Sequence, residues 1–196
     1  MANPYIYLAS RSPRRAELLQ QIGVRFSVLP ADIDESELEN EDPAEYVLRL
    51  ARTKAQVCLQ MLAHENLEMR PVLAADTTVC IDGCILGKPA DEVEARDMLQ
   101  RMSGRPHEVL TGLVVATNTE VLAMVSVTQV EMTALSPDEI AAYIASGEPF
   151  DKAGAYGIQG LAGTFIKRIE GSYSGVMGLP IYETALLLGR AGIRVL

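Results

Sequence analysis

The start of the chain commits it to a strand that feeds directly into a helix. Tyr5-Ile6-Tyr7-Leu8-Ala9 is apolar and β-prone, Ser10-Arg11-Ser12 turns, and Pro13-Arg14-Arg15-Ala16-Glu17-Leu18-Leu19 carries a helical pattern. Ser12 is suited to the N-cap, and Pro13 fits the first helical position, where a missing N–H costs nothing. This first crossover also sets free backbone N–H groups, two serine hydroxyls and three guanidinium groups at the positive end of a helix dipole. Solvated first-turn residues would explain Arg14 and Arg15 alone. Cations at a helix N-terminus oppose the dipole, however, and guanidinium groups match phosphate oxygens two at a time, so the cluster points to an anion.

The pattern continues as alternating strands and helices. Gly23 closes the first helix, Phe26-Ser27-Val28-Leu29 is a short strand, and Pro30 to Asp42 is an acidic, solvated loop. Asp42-Pro43-Ala44-Glu45 opens a helix whose core face is Val47, Leu50, Ala51, Ala55 and Cys58; Lys54 lies at the edge of that stripe, where a lone lysine is ordinarily solvated. Pro71 to Ala75 is a doubly buried strand that ends at Asp76-Thr77-Thr78 and resumes as Val79-Cys80-Ile81, with Asp82-Gly83 as a two-residue hairpin turn. A carboxylate following a buried strand is poorly explained by packing, and α/β folds bind ligands at strand ends. Asp91 caps another helix, Val109 to Ala116 and Val121 to Met132 form an antiparallel ribbon, and Ser136-Pro137-Asp138-Glu139 starts a further helix. The glycine-dense run Asp151 to Gly160 is either a connector or a place where backbone approaches a ligand; a strand at Phe165 to Ile169 and a helix after Leu179-Pro180 complete the chain. Strands and helices followed by a long ribbon predict an α/β fold: a mixed, elongated sheet with flanking helices, and two lobes around a central cleft.

Composition narrows the function. With 48% hydrophobic and 22% charged residues, the 196-residue chain is globular and long enough for one sizeable domain, 1–196, without an internal linker. A net charge of −9 argues against a general nucleic-acid surface, and makes a local arginine cluster more telling. Cys58, Cys80, Cys84, His64 and His107 lack zinc-site spacing, so the cysteines read as free core thiols. No secretory signal or membrane-spanning run is evident, which places the chain in the reducing cytoplasm. Gly83 to Lys88 fails as a phosphate loop, because its glycines enclose three residues and Pro89 follows the lysine. A Gly-x-Gly-x-x-Gly after the first strand and a nucleophile elbow are both missing.

Leu8 to Leu19 resembles the signature opening of the Maf family of nucleoside triphosphate pyrophosphatases. The likeness continues through Ala31-Asp32-Ile33-Asp34-Glu35, Arg49-Leu50-Ala51, Lys54-Ala55, Ala74-Ala75-Asp76-Thr77, Gly87-Lys88-Pro89, Met102-Ser103-Gly104, Thr111-Gly112, Asp151 to Gly160 and Gly178-Leu179-Pro180. Ala74 departs from the family's usual glycine. The resemblance implies hydrolysis of a nucleoside triphosphate to monophosphate and pyrophosphate with a divalent metal, Mg²⁺ or Mn²⁺. It implies a two-lobed fold similar to that of inosine triphosphate pyrophosphatases, often as a homodimer. The family's proton acceptor matches Asp76, its phosphate contacts match Ser10, Arg15, Lys54 and Lys88, and an acidic position assigned to metal or water positioning matches Glu35. Its three substrate-selecting positions match Arg14, Thr77 and Gln159, a combination similar to the branch acting on dTTP and UTP. Glutamine suits that branch, because the O4 and N3–H edge of thymine or uracil asks for both a donor and an acceptor. A competing class, a nucleotide-binding regulator of cell division with little or no hydrolysis, needs only the Ser10–Arg15 turn.

Overall fold

The computed structural model describes residues 5–195. The opening crossover forms as expected: β1 (Tyr5–Leu8), α1 (Pro13–Gln21) and β2 (Arg25–Val28), with β1 and β2 parallel. Then follow α2 (Pro43–His64), β3 (Val72–Ile81), β4 (Cys84–Leu86), α3 (Glu92–Met102), β5 (Pro106–Ala116), β6 (Val121–Met132), α4 (Pro137–Ala145), β7 (Ile166–Glu170), α5 (Tyr173–Val176) and α6 (Ile181–Arg190). One seven-stranded mixed sheet runs β2-β1-β3-β5-β6-β7, with β4 also paired to β3, and helices cover its faces. None of the described helices is long and apolar enough to cross a membrane.

The helix starts follow local chemistry. Ser12, Asp42, Asp91 and Ser136 each cap a helix N-terminus by accepting from backbone N–H groups, and Ser136 with Glu139 makes a reciprocal capping box. Asp82 and Gly83 both take positive φ, 53° and 76°, which lets a two-residue turn follow the twist of the β3–β4 hairpin. Of the cysteines, Cys58 and Cys80 are buried free thiols; Cys84 is free but exposed, because it starts the short returning strand β4.

Strand β3 differs from expectation in a way that makes the site. It does not stop at Asp76 but runs unbroken from Val72 to Ile81, because β5 pairs with it from Val72↔Ala116 to Cys80↔Glu108, including Asp76↔Gly112 and Thr77↔Thr111. Its other edge is shared. β1 pairs with it at Val72 and Leu73, and β4 pairs only at Val79 to Ile81. Ala75 to Thr78 lie between those pairings, and there the edge opens.

The two faces of β3 carry different cores. Val72, Ala74 and Cys80 point toward α2, against Ala51, Ala55, Cys58, Leu62 and Val47. On the opposite face Leu73 and Ala75 join Leu18, Leu19, Leu187 and Leu188, whereas Val79 and Ile81 join Leu99, Met102, Ile140 and Ile144. Thr77 falls between these two cores, so one continuous strand supports two lobes and the cleft between them. Each fully buried leucine or isoleucine, such as Leu19, Leu73, Leu99 and Ile140, contributes about 1.5–3 kcal/mol.

Helix α2 sits very close to the sheet at Gly112. A Cβ there would lie 2.5 Å from the Val47 carbonyl oxygen and 2.9 Å from the Leu48 nitrogen, backbone atoms that cannot rotate away. Gly112→Ala is therefore expected to push α2 outward and destabilise the protein by about 1–3 kcal/mol, read as a lower midpoint of thermal denaturation. Lys54 rides two turns further along the same helix, so turnover should fall as well.

Candidate active site

A cleft of about 920 Å³ opens where the edge of β3 is unpaired. It is lined by the β1–α1 turn, the acidic loop after Leu29, the centre of β3, Gly87 and Lys88, and the glycine-dense segment near residue 155. Such a volume suits a ligand of nucleotide size. All nine residues singled out from the sequence, Ser10, Arg14, Arg15, Glu35, Lys54, Asp76, Thr77, Lys88 and Gln159, line this one cleft.

Arg15 is the best fixed of the cations. Its Nε donates to the Gly178 carbonyl at 2.8 Å, Nη1 to Ser10 Oγ at 3.1 Å and Nη2 to Thr77 Oγ1 at 3.1 Å. Thr111 uses its proton on the Gly175 carbonyl at 2.9 Å, so the 2.9 Å contact between the two threonine hydroxyls has Thr77 as donor. Thr77 thereby accepts from Arg15 and donates to Thr111, and its hydroxyl is committed to holding the guanidinium. Three of the five arginine N–H groups are engaged by protein, which leaves two for a ligand. Burial, partly opposed by Asp76, lowers the Arg15 pKa from its ordinary value.

Lys54 is not solvated. Position 54 faces the sheet, and its Nζ lies 2.6 Å from Asp76 Oδ1 and 2.6 Å from Glu35 Oε1. Buried carboxylates need such partners, which is how an aspartate is accommodated in the middle of a strand. Glu35 belongs to the irregular acidic loop, and α2 ties that loop down: Tyr46 donates its hydroxyl to the Glu35 carbonyl at 3.0 Å and Arg49 donates to the Ser36 carbonyl at 3.0 Å. Arg49 also clamps Glu41 through Nε and Nη2. Burial raises the Glu35 pKa, but the hydrogen bond and charge of Lys54, helped by Lys88 and Arg15, outweigh it and leave the carboxyl below its ordinary value. The Tyr46 phenol is pushed up to about 12 by burial and by the Asp76 and Glu35 charges. The sequence reading did not single out Tyr46; its spacing of three from Arg49 on one helix face was the available signal.

Among the described residues, no three His, Cys, Asp or Glu side chains gather into a cage for a metal. Two carboxylates nonetheless converge on one point, and the Lys54 ammonium occupies it as a stand-in cation. That donor set fits Mg²⁺, which is commonly held by one or two carboxylates with waters and substrate phosphates completing its shell.

The remaining residues form the rim. Arg14 Nη1 pairs with Asp151 Oδ2 at 3.2 Å, and Lys152 bonds to both Asp151 and the Glu148 carbonyl. Neither Asp151 nor Lys152 stood out by type or spacing. A Cβ at Gly157 would lie 2.7 Å from Lys152 Cε, so glycine allows the lysine stem to pass under the loop that presents Gln159. Gln159 and Lys88 are exposed to the cleft. Arg11 and Asp32 also line the cleft and pair with each other there, both largely exposed. Below the loop, His107 Nε2 meets the Tyr156 hydroxyl at 2.8 Å, and burial pushes the imidazole down to about 4, so it is a neutral prop.

A mixed α/β sheet whose central strand sets a carboxylate among arginine and lysine head groups defines a protein that handles a small polyanion. The chain belongs to the Maf family: the family model described as Maf-like protein matches residues 5–191. It is 63% identical over 190 residues to the dTTP/UTP pyrophosphatase of Methylobacillus flagellatus, covering 97% of this chain and 94% of that protein. It is 54% identical over 199 residues to the dTTP/UTP pyrophosphatase of Ralstonia nicotianae, covering 97% and 96%. Among solved structures it is similar to the Staphylococcus aureus Ham1 protein, with a TM-score of 0.47, 13% identity, and 65% and 71% of the two chains covered.

Proposed function

We propose that this protein, as a single domain, hydrolyses dTTP and UTP to the nucleoside monophosphate and pyrophosphate, in the manner named for its relatives. The observation that carries the reading is the placement of Asp76 on β3, paired to Lys54 and facing the same cleft as Arg15. A protein that only bound a polyanion would do better without a carboxylate there, since like charge opposes the ligand; a hydrolase needs one to take a proton from water.

Arg15, Ser10, Lys54 and Lys88 bind the phosphate chain, with Arg15 held in place by Gly178, Ser10 and Thr77. Asp76 Oδ2 accepts the proton of the water that attacks the α-phosphorus, and pyrophosphate departs with its charge balanced by the arginine and lysine head groups. Glu35 and Asp76 would hold a divalent metal, Mg²⁺ or Mn²⁺, which when bound neutralises phosphate charge and polarises the reacting phosphoryl group. General-base assistance contributes about 10²–10⁴-fold, and positioning and charge stabilisation must supply the rest. Arg14 and Gln159 select the base from the rim, while Thr77 bears on selection through the guanidinium it orients. We assign the protein to the nucleotide pool of the cytoplasm, acting as a homodimer.

A panel of nucleoside triphosphates with Mg²⁺ or Mn²⁺, with both products quantified, tests the assignment: dTTP and UTP should lead it. In ¹⁸O-water the label should appear in the monophosphate, and label in pyrophosphate would exclude attack at the α-phosphorus. Gln159→Glu puts an acceptor against the O4 of the base. It should lower kcat/KM for dTTP by about 10–100-fold, the cost of one mispaired polar contact, while purine triphosphates change less. Equal loss on every base would mean that Gln159 is structural.

A further inference from the structure

We propose that in the nucleotide-free protein Lys54 fills the cation seat between Asp76 and Glu35, so that a divalent metal enters with the triphosphate and not before it. This rests on the hydrolase reading above. The Lys54 ammonium lies 2.6 Å from an oxygen of each carboxylate, whereas Mg²⁺ requires oxygens at about 2.0–2.1 Å in an octahedral shell. The two cations cannot share that point. A bare metal must displace an ammonium whose side chain is 11% exposed, leaving its charge without a partner in a cleft that also holds the Arg15 guanidinium. A displaced buried charge of this kind is costly.

A triphosphate changes the balance. Its oxygens offer the ammonium a new anionic partner in the same cleft, so Lys54 passes from carboxylates to phosphate as the metal takes the carboxylates. Glu35 makes the exchange feasible, because its side chain is 49% exposed and lies on a loop, while Asp76 is fixed in the sheet at 11%. Lys54 therefore acts as an internal placeholder: it holds both carboxylates aligned, and it discourages unproductive metal binding.

Mn²⁺ titration of the nucleotide-free protein, with unbound Mn²⁺ followed by its electron paramagnetic resonance signal, reads this directly. Wild type should bind weakly, Lys54→Met should bind on the order of tenfold more tightly or better, and Lys54→Met with Glu35→Gln should lose the gain. Equal affinity in wild type and Lys54→Met would overturn the proposal. If the Lys54 variants fail to fold, the Lys54 ¹⁵Nζ resonance of the wild type decides. It should stay in place with Mg²⁺ alone and move when Mg²⁺ is added with α,β-imido-dTTP; an equal shift with Mg²⁺ alone would overturn the proposal. Neither measurement depends on turnover, so failure of the hydrolase reading would show separately, as no pyrophosphate released from any triphosphate.

Discussion

Asp76→Asn is expected to leave a folded protein that binds triphosphate yet releases pyrophosphate about 10²–10⁴-fold more slowly. The substitution keeps the volume and the carbonyl acceptor for Lys54, whose second partner, Glu35, retains its charge. The β3–β5 ladder at Asp76↔Gly112 involves backbone only and is untouched. The amide removes the group that takes the proton, and it removes a negative charge from a site for polyanions, so affinity for α,β-imido-dTTP measured without divalent metal should hold or rise. The measurement is a split between kcat, which collapses, and the dissociation constant, which does not. Turnover within a few-fold of wild type would place the base elsewhere. A parallel loss of affinity and turnover would make Asp76 a structural partner of Lys54 only.

How legible this site was in the sequence depends on how local each interaction is. Ser12, Asp42, Asp91 and Ser136 were readable as caps because their partners lie two or three residues away. The arginine turn was readable because opposed charge at a helix N-terminus is a local anomaly. The break expected at Asp76 failed for the converse reason: the lysine that offsets its burial is 22 positions upstream, and the ladder that carries the strand through comes from β5. Lys54 likewise looked solvated, since the carboxylates that face it lie on the preceding loop and the following strand, 22 positions away for Asp76; only the family resemblance placed it with phosphate. Tyr46 was silent, and Arg49 entered only within a matched motif without a role, because both hold backbone carbonyls in an irregular loop, and a carbonyl carries no sequence signature. Thr77 was readable as a position that matters but not as a support for Arg15, because the Thr77–Thr111 contact exists only once β3 and β5 pair.

Arg15→Lys should be nearly as damaging as loss of Asp76, although charge is conserved. The guanidinium spans the Gly178 carbonyl, Ser10 Oγ and Thr77 Oγ1 with three different nitrogens and still has two N–H groups for phosphate. An ammonium has one nitrogen, so it cannot reach all three acceptors from the same place, let alone meet a phosphate bidentately. The Gly178 carbonyl would lose the 2.8 Å hydrogen bond it accepts from Nε. A loss of about 2–5 kcal/mol is typical when a hydrogen-bonded charge contact is truncated, which corresponds to kcat/KM falling by about 30-fold to a few thousand-fold. Thr77→Val separates orientation from charge: it removes one of the three tethers and keeps the guanidinium, so its loss should be smaller and should appear on dTTP and UTP alike. If Arg15→Lys instead retained kcat/KM within about tenfold, a point charge would suffice, and the web from Ser10 through Thr77 to Thr111 would be a packing device that fastens α1 to β3 without shaping the phosphate site.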